Sequence, residues 1–172
     1  MRNTSFFLLI ICLISCETTA EQYYNRGEYR FSLGEYETAI VEFTRAIEID
    51  PKLTKAYALR AAASHNLGRH FSAASDYSKA ISLEPDFYDI YFSRGLLWLE
   101  MRNHRGAVSD FTQYINAYPS HASGYAMRGL SNFELENFAS ACEDIKRAER
   151  MGFRPGYIVP ESNYYAVLHY CR

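Results

Sequence analysis

The sequence has few residues that break regular structure and no large excess of charge of either sign. Only five prolines and nine glycines occur among 172 residues, and no low-complexity linker divides the chain. The formal net charge is −2, so the chain lacks the basic footprint that nucleic-acid binding requires. Hydrophobic residues make up 48% of the chain, which excludes an intrinsically disordered protein. We therefore expect one compact domain that binds no nucleic acid.

Signatures of catalysis and of metal binding are missing as well. The sequence contains no nucleophile elbow, phosphate-binding loop or dinucleotide fingerprint. Its five histidines lack the paired helical spacing of a zinc site. His70 and His104 occupy the same position of an internal repeat as Tyr36 and Phe138, which indicates packing at a turn. We expect no enzymatic activity, no cofactor and no bound metal.

One uninterrupted apolar run, at residues 6–14, follows a positively charged Arg2. About 20 apolar residues are needed to cross a bilayer, so this run is too short to span one and is typical of an export signal. The run ends in Leu-Ile-Ser-Cys, which resembles the lipobox of bacterial lipoproteins. The resemblance implies a signal peptide over residues 1–15, acylation of Cys16, and a short tether over residues 16–19.

An acylated cysteine would anchor the chain to a membrane, since each buried methylene contributes about 0.8 kcal/mol. Glu17 follows the anchor and is not the aspartate that is associated with inner-membrane retention in enteric bacteria. We therefore expect a lipid-anchored protein of the bacterial cell envelope, at the outer membrane and facing the periplasm. Two alternatives remain open: an uncleaved hydrophobic anchor, and an ordinary secretory signal that is cut after Ala20.

A pattern with a period of 34 residues fills the rest of the chain. Each unit has a tyrosine, an arginine three positions later and an alanine sixteen positions after the tyrosine. The tyrosines are Tyr23, Tyr57, Tyr91 and Tyr125, and the alanines are Ala39, Ala73, Ala107 and Ala141. Apolar residues recur at helical spacing within each unit, and Leu-Gly pairs at 33–34 and 67–68 predict a turn in its middle. Each unit is therefore predicted to be a pair of helices.

This pattern resembles the tetratricopeptide repeat, in which an aromatic residue, a small residue, a later alanine and a final proline recur. The resemblance implies an all-α fold, an α-solenoid of four tetratricopeptide helical hairpins plus a C-terminal capping helix. The four units would cover residues 20–53, 54–87, 88–121 and 122–155. Residues 156–172 would add a loop and the capping helix, predicted at Glu161–Cys171 with an inner face of Tyr164, Val167, Leu168 and Cys171.

Three features depart from the family pattern. An arginine precedes the small residue of each unit, where the family usually has an aliphatic residue. Tyr114 replaces the last small residue of the third unit, and Phe153 stands where the fourth unit should have its proline. At the other end of the chain, Thr18 and Glu21 have the spacing of a capping box that would start the first helix.

An acidic residue follows each repeated arginine after sixteen positions, which predicts structural ion pairs between the two helices of a unit. The predicted pairs are Arg26 with Glu42, Arg60 with Asp76, Arg94 with Asp110, and Arg128 with Asp144. Buried charges are normally paired, and the arginine fork suits a carboxylate. The alternative is that the four arginines form an anion-binding stripe.

The resemblance also implies a protein-binding surface, because ligands of this family contact the concave face formed by the first helix of each unit. The corresponding positions are Tyr24, Glu28, Phe31, Lys55, Ala62, His65, Asn66, Phe92, Leu96, Leu99, Glu100, Leu130, Phe133 and Glu134. They predict an aromatic and aliphatic trough with acidic spots, unless the side chains pack against one another. The family's clamp for C-terminal carboxylates is absent, since Tyr24, Glu28, Leu59, Asp89 and Ser93 occupy its positions.

Two cysteines remain outside the predicted signal and anchor, Cys142 in the fourth unit and Cys171 in the predicted capping helix. An oxidising periplasm permits a disulfide between them, and two separate buried thiols are the alternative. The sequence as a whole predicts a membrane-anchored interaction scaffold that binds an envelope protein or protein complex on its concave face. Two other hypotheses remain open: an accessory lipoprotein that binds or transports a small hydrophobic ligand, and a purely structural lipoprotein.

Overall fold

The computed structural model describes residues 18–155 and 161–172, and every regular element within them is an α-helix. Eight helices form four consecutive hairpins. They are α1 (Ala20–Ser32) with α2 (Tyr36–Ile49), α3 (Thr54–Asn66) with α4 (His70–Leu83), α5 (Tyr88–Glu100) with α6 (His104–Ala117), and α7 (Ala122–Glu134) with α8 (Phe138–Arg150). The last helix, α9, covers Glu161–Tyr170. The predicted all-α solenoid with a capping helix is confirmed.

The predicted signal peptide and the acylated Cys16 lie outside the described residues. Within the described part of the chain, no helix combines the length and the apolar character that spanning a bilayer requires.

The predicted capping box lies one residue further along the chain than expected. Thr19 caps α1: its hydroxyl accepts a hydrogen bond from the Gln22 backbone N–H at 3.2 Å, and its own N–H donates to Gln22 Oε1 at 2.9 Å. Glutamine can replace glutamate in this reciprocal arrangement because the side-chain carbonyl oxygen is the acceptor. The Thr18 hydroxyl instead donates to the Tyr23 hydroxyl at 3.0 Å.

The turn inside each hairpin uses a left-handed residue at the same repeat position. Gly34 and Gly68 have φ angles of 75° and 69°, as the Leu-Gly pairs predicted. The equivalent residues in the last two hairpins are Arg102 and Glu136, with φ angles of 55° and 61°. A left-handed conformation costs an L-residue about 1–2 kcal/mol, so these two turns are strained where the first two are not.

The two helices of a hairpin approach closely where a small residue faces an aromatic ring. A Cβ atom on Gly27 would lie 2.6 Å from the Phe43 ring, and one on Gly95 would lie 2.7 Å from the Phe111 ring. The four repeated alanines have 0% exposure and complete this contact. The core is therefore a series of equivalent layers, as expected where single hairpins cannot bury their own apolar faces.

The departure at Tyr114 has a structural explanation in the next helix. Tyr114 is buried against α7, where a Cβ atom on Gly124 would lie 3.0 Å from Tyr114 and 2.8 Å from Ile115. The equivalent contacts earlier in the stack involve alanine in place of Tyr114. A large residue on α6 is thus accommodated by a glycine on α7.

The capping helix α9 ends at Tyr170, one residue before the predicted end. The four residues predicted for its inner face are all buried, and Tyr164 is only 1% exposed. Phe153 packs its ring against Tyr164, with the centroids 5.1 Å apart. This contact explains why an aromatic residue replaces the repeat's proline at the end of the fourth unit.

A disulfide bond joins Cys142 of α8 to Cys171, with the Sγ atoms 2.01 Å and the Cα atoms 5.1 Å apart. It ties the C-terminal end of α9 to the last hairpin.

Candidate protein-binding groove

The first helices of the four hairpins form one continuous surface, which we call the groove. Among the described residues, α1 contacts α3, α3 contacts α5, and α5 contacts α7, whereas the second helices α2, α4, α6 and α8 do not contact one another. Because the first helices lie closer together than the second helices do, the stack curves with the first helices on its inner side. The groove is therefore concave, which is the surface that the sequence predicted for protein binding.

At the N-terminal end of the groove, the predicted contact residue Tyr24 lies deeper than expected. Tyr24 is 8% exposed, and its ring packs against Phe43 with the ring centroids 5.9 Å apart. Lys55 Nζ covers this ring at 4.1 Å from the centroid and pairs with Glu21 at 2.7 Å. The Tyr24 hydroxyl donates to Glu28 Oε1 at 3.2 Å. Burial, followed by the negative charge of Glu28, raises the pKa of Tyr24 to about 12. Tyr24 is thus a core residue that offers little surface to a partner.

In the middle of the groove, polar contacts cross from one first helix to the next. His65 Nε2 on α3 lies 2.9 Å from Glu100 Oε2 on α5. The ring centroids of His65 and His70 lie 6.0 Å apart. Phe31 and Tyr36 occupy the equivalent positions of the first hairpin and make an edge-to-face contact at 5.3 Å. Packing at the turn, predicted for His70, is therefore present. Asn66 is exposed and donates to a carbonyl of its own helix.

The C-terminal half of the groove is more apolar. Phe92 is half-buried, with its ring 4.7 Å from Tyr114 and 5.6 Å from Phe111. Leu96 and Leu99 are also half-buried and pack on the core of the last two hairpins. These side chains pack on the core residues beneath them, and each still keeps part of its surface exposed.

A cavity of about 500 Å³ lies at this end of the groove, and we call it the C-terminal cavity. It is lined by Leu99, Glu100, Arg102, His104, Leu130, Phe133, Glu134, Asn163, Ala166 and Val167. Half of these residues are groove positions that the sequence predicted. The contribution of α9 was missed, because no pattern in the sequence shows where a capping helix lies relative to the groove.

Three of the four predicted ion pairs are present, and each is bidentate. Arg94 Nε and Nη2 donate to the two Asp110 oxygens, both at 2.7 Å. Arg60 binds Asp76 at 2.7 and 2.8 Å, and Arg128 binds Asp144 at the same distances. The hydrogen bonds that Arg60 donates to Asp76 and Arg128 donates to Asp144 raise the pKa of both arginines above the usual value. These guanidinium groups are occupied within the protein, so they do not form an anion-binding stripe.

Each of these arginines also contacts the preceding hairpin, which the sequence analysis did not anticipate. Arg60 Nη1 donates to the Thr44 hydroxyl at 3.1 Å, and Arg94 Nη1 donates to the Ser78 hydroxyl at 3.0 Å. The third such bond joins Arg128 to Thr112 at 3.4 Å. The hydroxyls recur with the period of 34 residues, so the signal was available in the sequence. The arginines therefore join successive hairpins as well as the two helices of one hairpin.

The predicted pair of Arg26 with Glu42 is absent. The Arg26 guanidinium lies over the Tyr23 ring, 4.7 Å from its centroid. Glu42 Oε1 lies 3.6 Å from Arg45, and among the described residues Glu42 Oε2 is buried without a hydrogen-bond partner. Glutamate is one methylene longer than the aspartate of the other hairpins. In the second hairpin, α2 lies beside α3, and its Thr44 hydroxyl accepts a hydrogen bond from Arg60. No helix of the described residues lies beside α1 in the same way, so no hydroxyl holds the Arg26 guanidinium in position.

In the part of the chain that the structure describes, no group of three or more histidine, cysteine or acidic side chains is arranged to hold a metal ion. His104 lines the C-terminal cavity, and its Nδ1 is buried without a hydrogen-bond partner among the described residues.

Comparison with known proteins identifies the repeat. Models of the tetratricopeptide repeat match residues 20–53 and residues 54–87. Tetratricopeptide repeat protein 16 of Homo sapiens is 42% identical over 68 residues, which cover 36% of this chain and 8% of that protein. The same protein of Macaca fascicularis is 45% identical over 42 residues, covering 24% of this chain and 5% of its own. The chain thus spans less than a tenth of the length of these curated relatives.

Solved structures share the fold over 77–94% of this chain at low sequence identity. YrrB, described as a TPR protein with an unusual peptide-binding site, has a TM-score of 0.78 at 15% identity, with 94% of this chain and 82% of that chain covered. MamA from Desulfovibrio magneticus RS-1 has a TM-score of 0.74 at 20% identity, with coverages of 77% and 75%. A repeat protein from Parabacteroides merdae has a TM-score of 0.74 at 17% identity, with coverages of 87% and 59%.

The helical hairpins, their repeated contacts and these matches agree. The chain is a tetratricopeptide repeat protein. This class of solenoid presents a surface for protein–protein interaction, and the models that match describe a repeat and no catalytic domain.

Proposed function

We propose that this chain is a lipid-anchored adaptor of the bacterial cell envelope that holds a partner protein in its groove. The observation that carries the proposal is the groove itself, a concave surface whose C-terminal half combines half-buried aromatic and aliphatic side chains with an open cavity. Surfaces of this composition are typical of interaction sites. A structural neighbour, YrrB, is described as having a peptide-binding site.

The proposed anchor is Cys16, for the reasons that the lipobox resemblance gives. The first helix begins at Ala20, four positions after Cys16. Four residues of extended chain reach about 14 Å at most. An acylated Cys16 would therefore hold the groove close to the lipid surface, and its partners would be membrane-bound or membrane-adjacent proteins.

Two experiments in cells test this proposal separately. A photo-crosslinking residue at Asn66, which is exposed in the groove, should capture a discrete envelope protein, whereas one at Lys79, exposed on α4, should not. Capture of the same protein from both positions, or of none from Asn66, would contradict the adaptor.

Cys16→Ser should abolish labelling by an alkyne fatty acid and release the chain from the membrane fraction. Labelling that survives this substitution would overturn the anchor.

The small-ligand alternative is favoured by one observation, the C-terminal cavity, whose volume of about 500 Å³ falls in the range of small-molecule sites. Native mass spectrometry of the purified chain distinguishes it from the adaptor. A hydrophobic small molecule that co-purifies in stoichiometric amount, and that is lost when the cavity is filled by Ala166→Trp, would support a carrier of small ligands.

A further inference from the structure

We propose that the C-terminal cavity is the anchor point of the groove, where an apolar side chain of a partner's extended segment inserts while flanking lysine or arginine residues meet the groove's carboxylates. This inference rests on the proposed adaptor function and names the chemistry of the partner segment. It follows from two properties of the described residues, the composition of the cavity walls and the distribution of charge along the groove.

The apolar walls of the cavity come from three helices, α5, α7 and α9. Leu99 of α5 and Leu130 and Phe133 of α7 supply apolar surface, and Ala166 and Val167 of α9 close the side that has no further hairpin. The rings of Phe133, Phe138 and Tyr170 contact one another at centroid distances of 5.1–5.3 Å, which fixes α9 against the last hairpin. The disulfide ties the same C-terminal end of α9 to α8. The cavity is thus pre-formed, which lowers the entropic cost of binding.

The size of the cavity suits side chains of a polypeptide. A volume of about 500 Å³ accommodates one or two aromatic rings. The cavity opens into the groove, along which the neighbouring half-buried Leu96 and Phe92 continue the apolar surface. An extended segment can therefore place one residue in the cavity and its neighbours along the groove.

The charge of the groove selects a cationic segment. The first helices carry five carboxylates, Glu21, Glu28, Asp89, Glu100 and Glu134, and their cations are Lys55 and five arginines. Three of the arginines, Arg60, Arg94 and Arg128, bind aspartates of the second helices. Arg30 pairs with Glu35, and Arg26 lies over the Tyr23 ring. Lys55 is neutralised by Glu21, and Glu100 is paired with His65. Glu28, Asp89 and Glu134 have no ion-pair partner among the described residues, and Glu134 lies at the cavity itself. Arg102 is the one arginine or lysine that lines the cavity.

The test uses the full-length chain in detergent and three fluorescein-labelled peptides in a common glycine–serine background. The first has one phenylalanine between lysines, the second replaces that phenylalanine by alanine, and the third replaces the lysines by glutamates. Fluorescence anisotropy should show binding of the first peptide, and binding at least about tenfold weaker for the other two. Equal affinity for all three peptides, or no binding of the first at about 1 mM, would overturn the inference.

Two substitutions locate the site on the protein, each with a matched control. Ala166→Trp fills the cavity from an exposed position of α9, and Ala139→Trp adds the same ring at an exposed position of α8 outside it. Glu134→Lys reverses the charge at the cavity, and Glu143→Lys makes the same change on α8. The first member of each pair should weaken binding of the phenylalanine–lysine peptide at least about tenfold, and the second should leave it unchanged.

The same variants separate this inference from the adaptor function. If crosslinking from Asn66 still captures an envelope protein at the wild-type level in the Ala166→Trp chain, the adaptor stands and the C-terminal cavity is not its anchor point. If the peptide binds as expected but no partner is captured in cells, the cavity binds such segments and the proposed adaptor function fails.

Discussion

Arg94 binds Asp110 through two hydrogen bonds of 2.7 Å and, through its remaining terminal nitrogen, the Ser78 hydroxyl of the preceding hairpin at 3.0 Å. Asp110 is 3% exposed, and Arg94 is its ion-pair partner. The same three-way contact recurs around Arg60 and Arg128. The stack is therefore held together by a repeated polar contact as well as by its apolar layers.

Removal of Asp110 should strongly destabilise the protein. Asp110→Ala leaves Arg94 partly buried without a counter-charge, which typically costs about 3–5 kcal/mol. Glu42→Ala is the matched control, because Glu42 occupies the equivalent position but makes no pair with Arg26; it should cost no more than about 1 kcal/mol. Urea unfolding followed by circular dichroism measures both values. Equal losses for the two variants would show that the bidentate pair contributes nothing special.

Relief of the strained turn at Glu136 should stabilise the chain. Glu136 has a φ of 61° at the position where the first two hairpins have glycine. Glu136→Gly should raise the free energy of unfolding by about 1 kcal/mol, because glycine adopts this conformation without a Cβ clash. Gly68→Ala should lower it by a similar amount, since it introduces the same strain where none exists. A thermal melt that does not move in opposite directions for the two variants would contradict this account.

The Cys142–Cys171 bond closes a segment of 29 residues and should stabilise the C-terminal end of the stack. The loop-entropy model gives about 3–4 kcal/mol for a closure of this length. Without reductant, neither cysteine should react with a thiol-blocking reagent, and mass spectrometry of the peptides that contain them checks this directly. Two blocked thiols would show that the bond does not form.

The consequence of reducing that bond should be local. Cys142→Ala combined with Cys171→Ala should speed amide hydrogen exchange in α9 and leave α1–α4 unaffected, because the disulfide joins α9 to α8 only. Uniformly faster exchange along the chain would mean that the four hairpins depend on the capping helix for their own stability.

Alkaline pH should destabilise the protein through buried tyrosines. Burial raises the pKa of Tyr77 to about 12, whereas an unfolded tyrosine titrates near 10. The folded state therefore retains the Tyr77 proton between these values while the unfolded state loses it. This contribution to stability is fully present below about pH 10 and is lost as the pH rises to about 12. Tyr77→Phe should show a smaller loss of stability than the wild type between about pH 9 and about pH 11. Identical losses would mean that Tyr77 does not contribute.

Much of the fold could be predicted because the same residue types recur at one spacing. The layers around the repeated alanines and the ion pairs of the second, third and fourth hairpins follow from that spacing, since equivalent residues in a solenoid have equivalent neighbours. The exceptions arise at the first hairpin. Arg26 and Glu42 have the same spacing as the other three pairs. No preceding hairpin lies beside Arg26 among the described residues, however, and Glu42 is one methylene longer than the aspartate of the other pairs. Tyr24 matches a groove position in sequence, yet packing against Phe43 and Lys55 removes it from the surface.

The sequence by itself determined the period, the hairpins, the inner face of the capping helix and the pairing of arginine with aspartate. Each depends on residues close in sequence or one repeat apart, and helical periodicity makes their relative positions predictable. Only the tertiary structure decided where α9 lies against the groove, and thus that Ala166 and Val167 complete the C-terminal cavity. That placement depends on packing across a non-repeating connection, for which the sequence contains no second copy to compare.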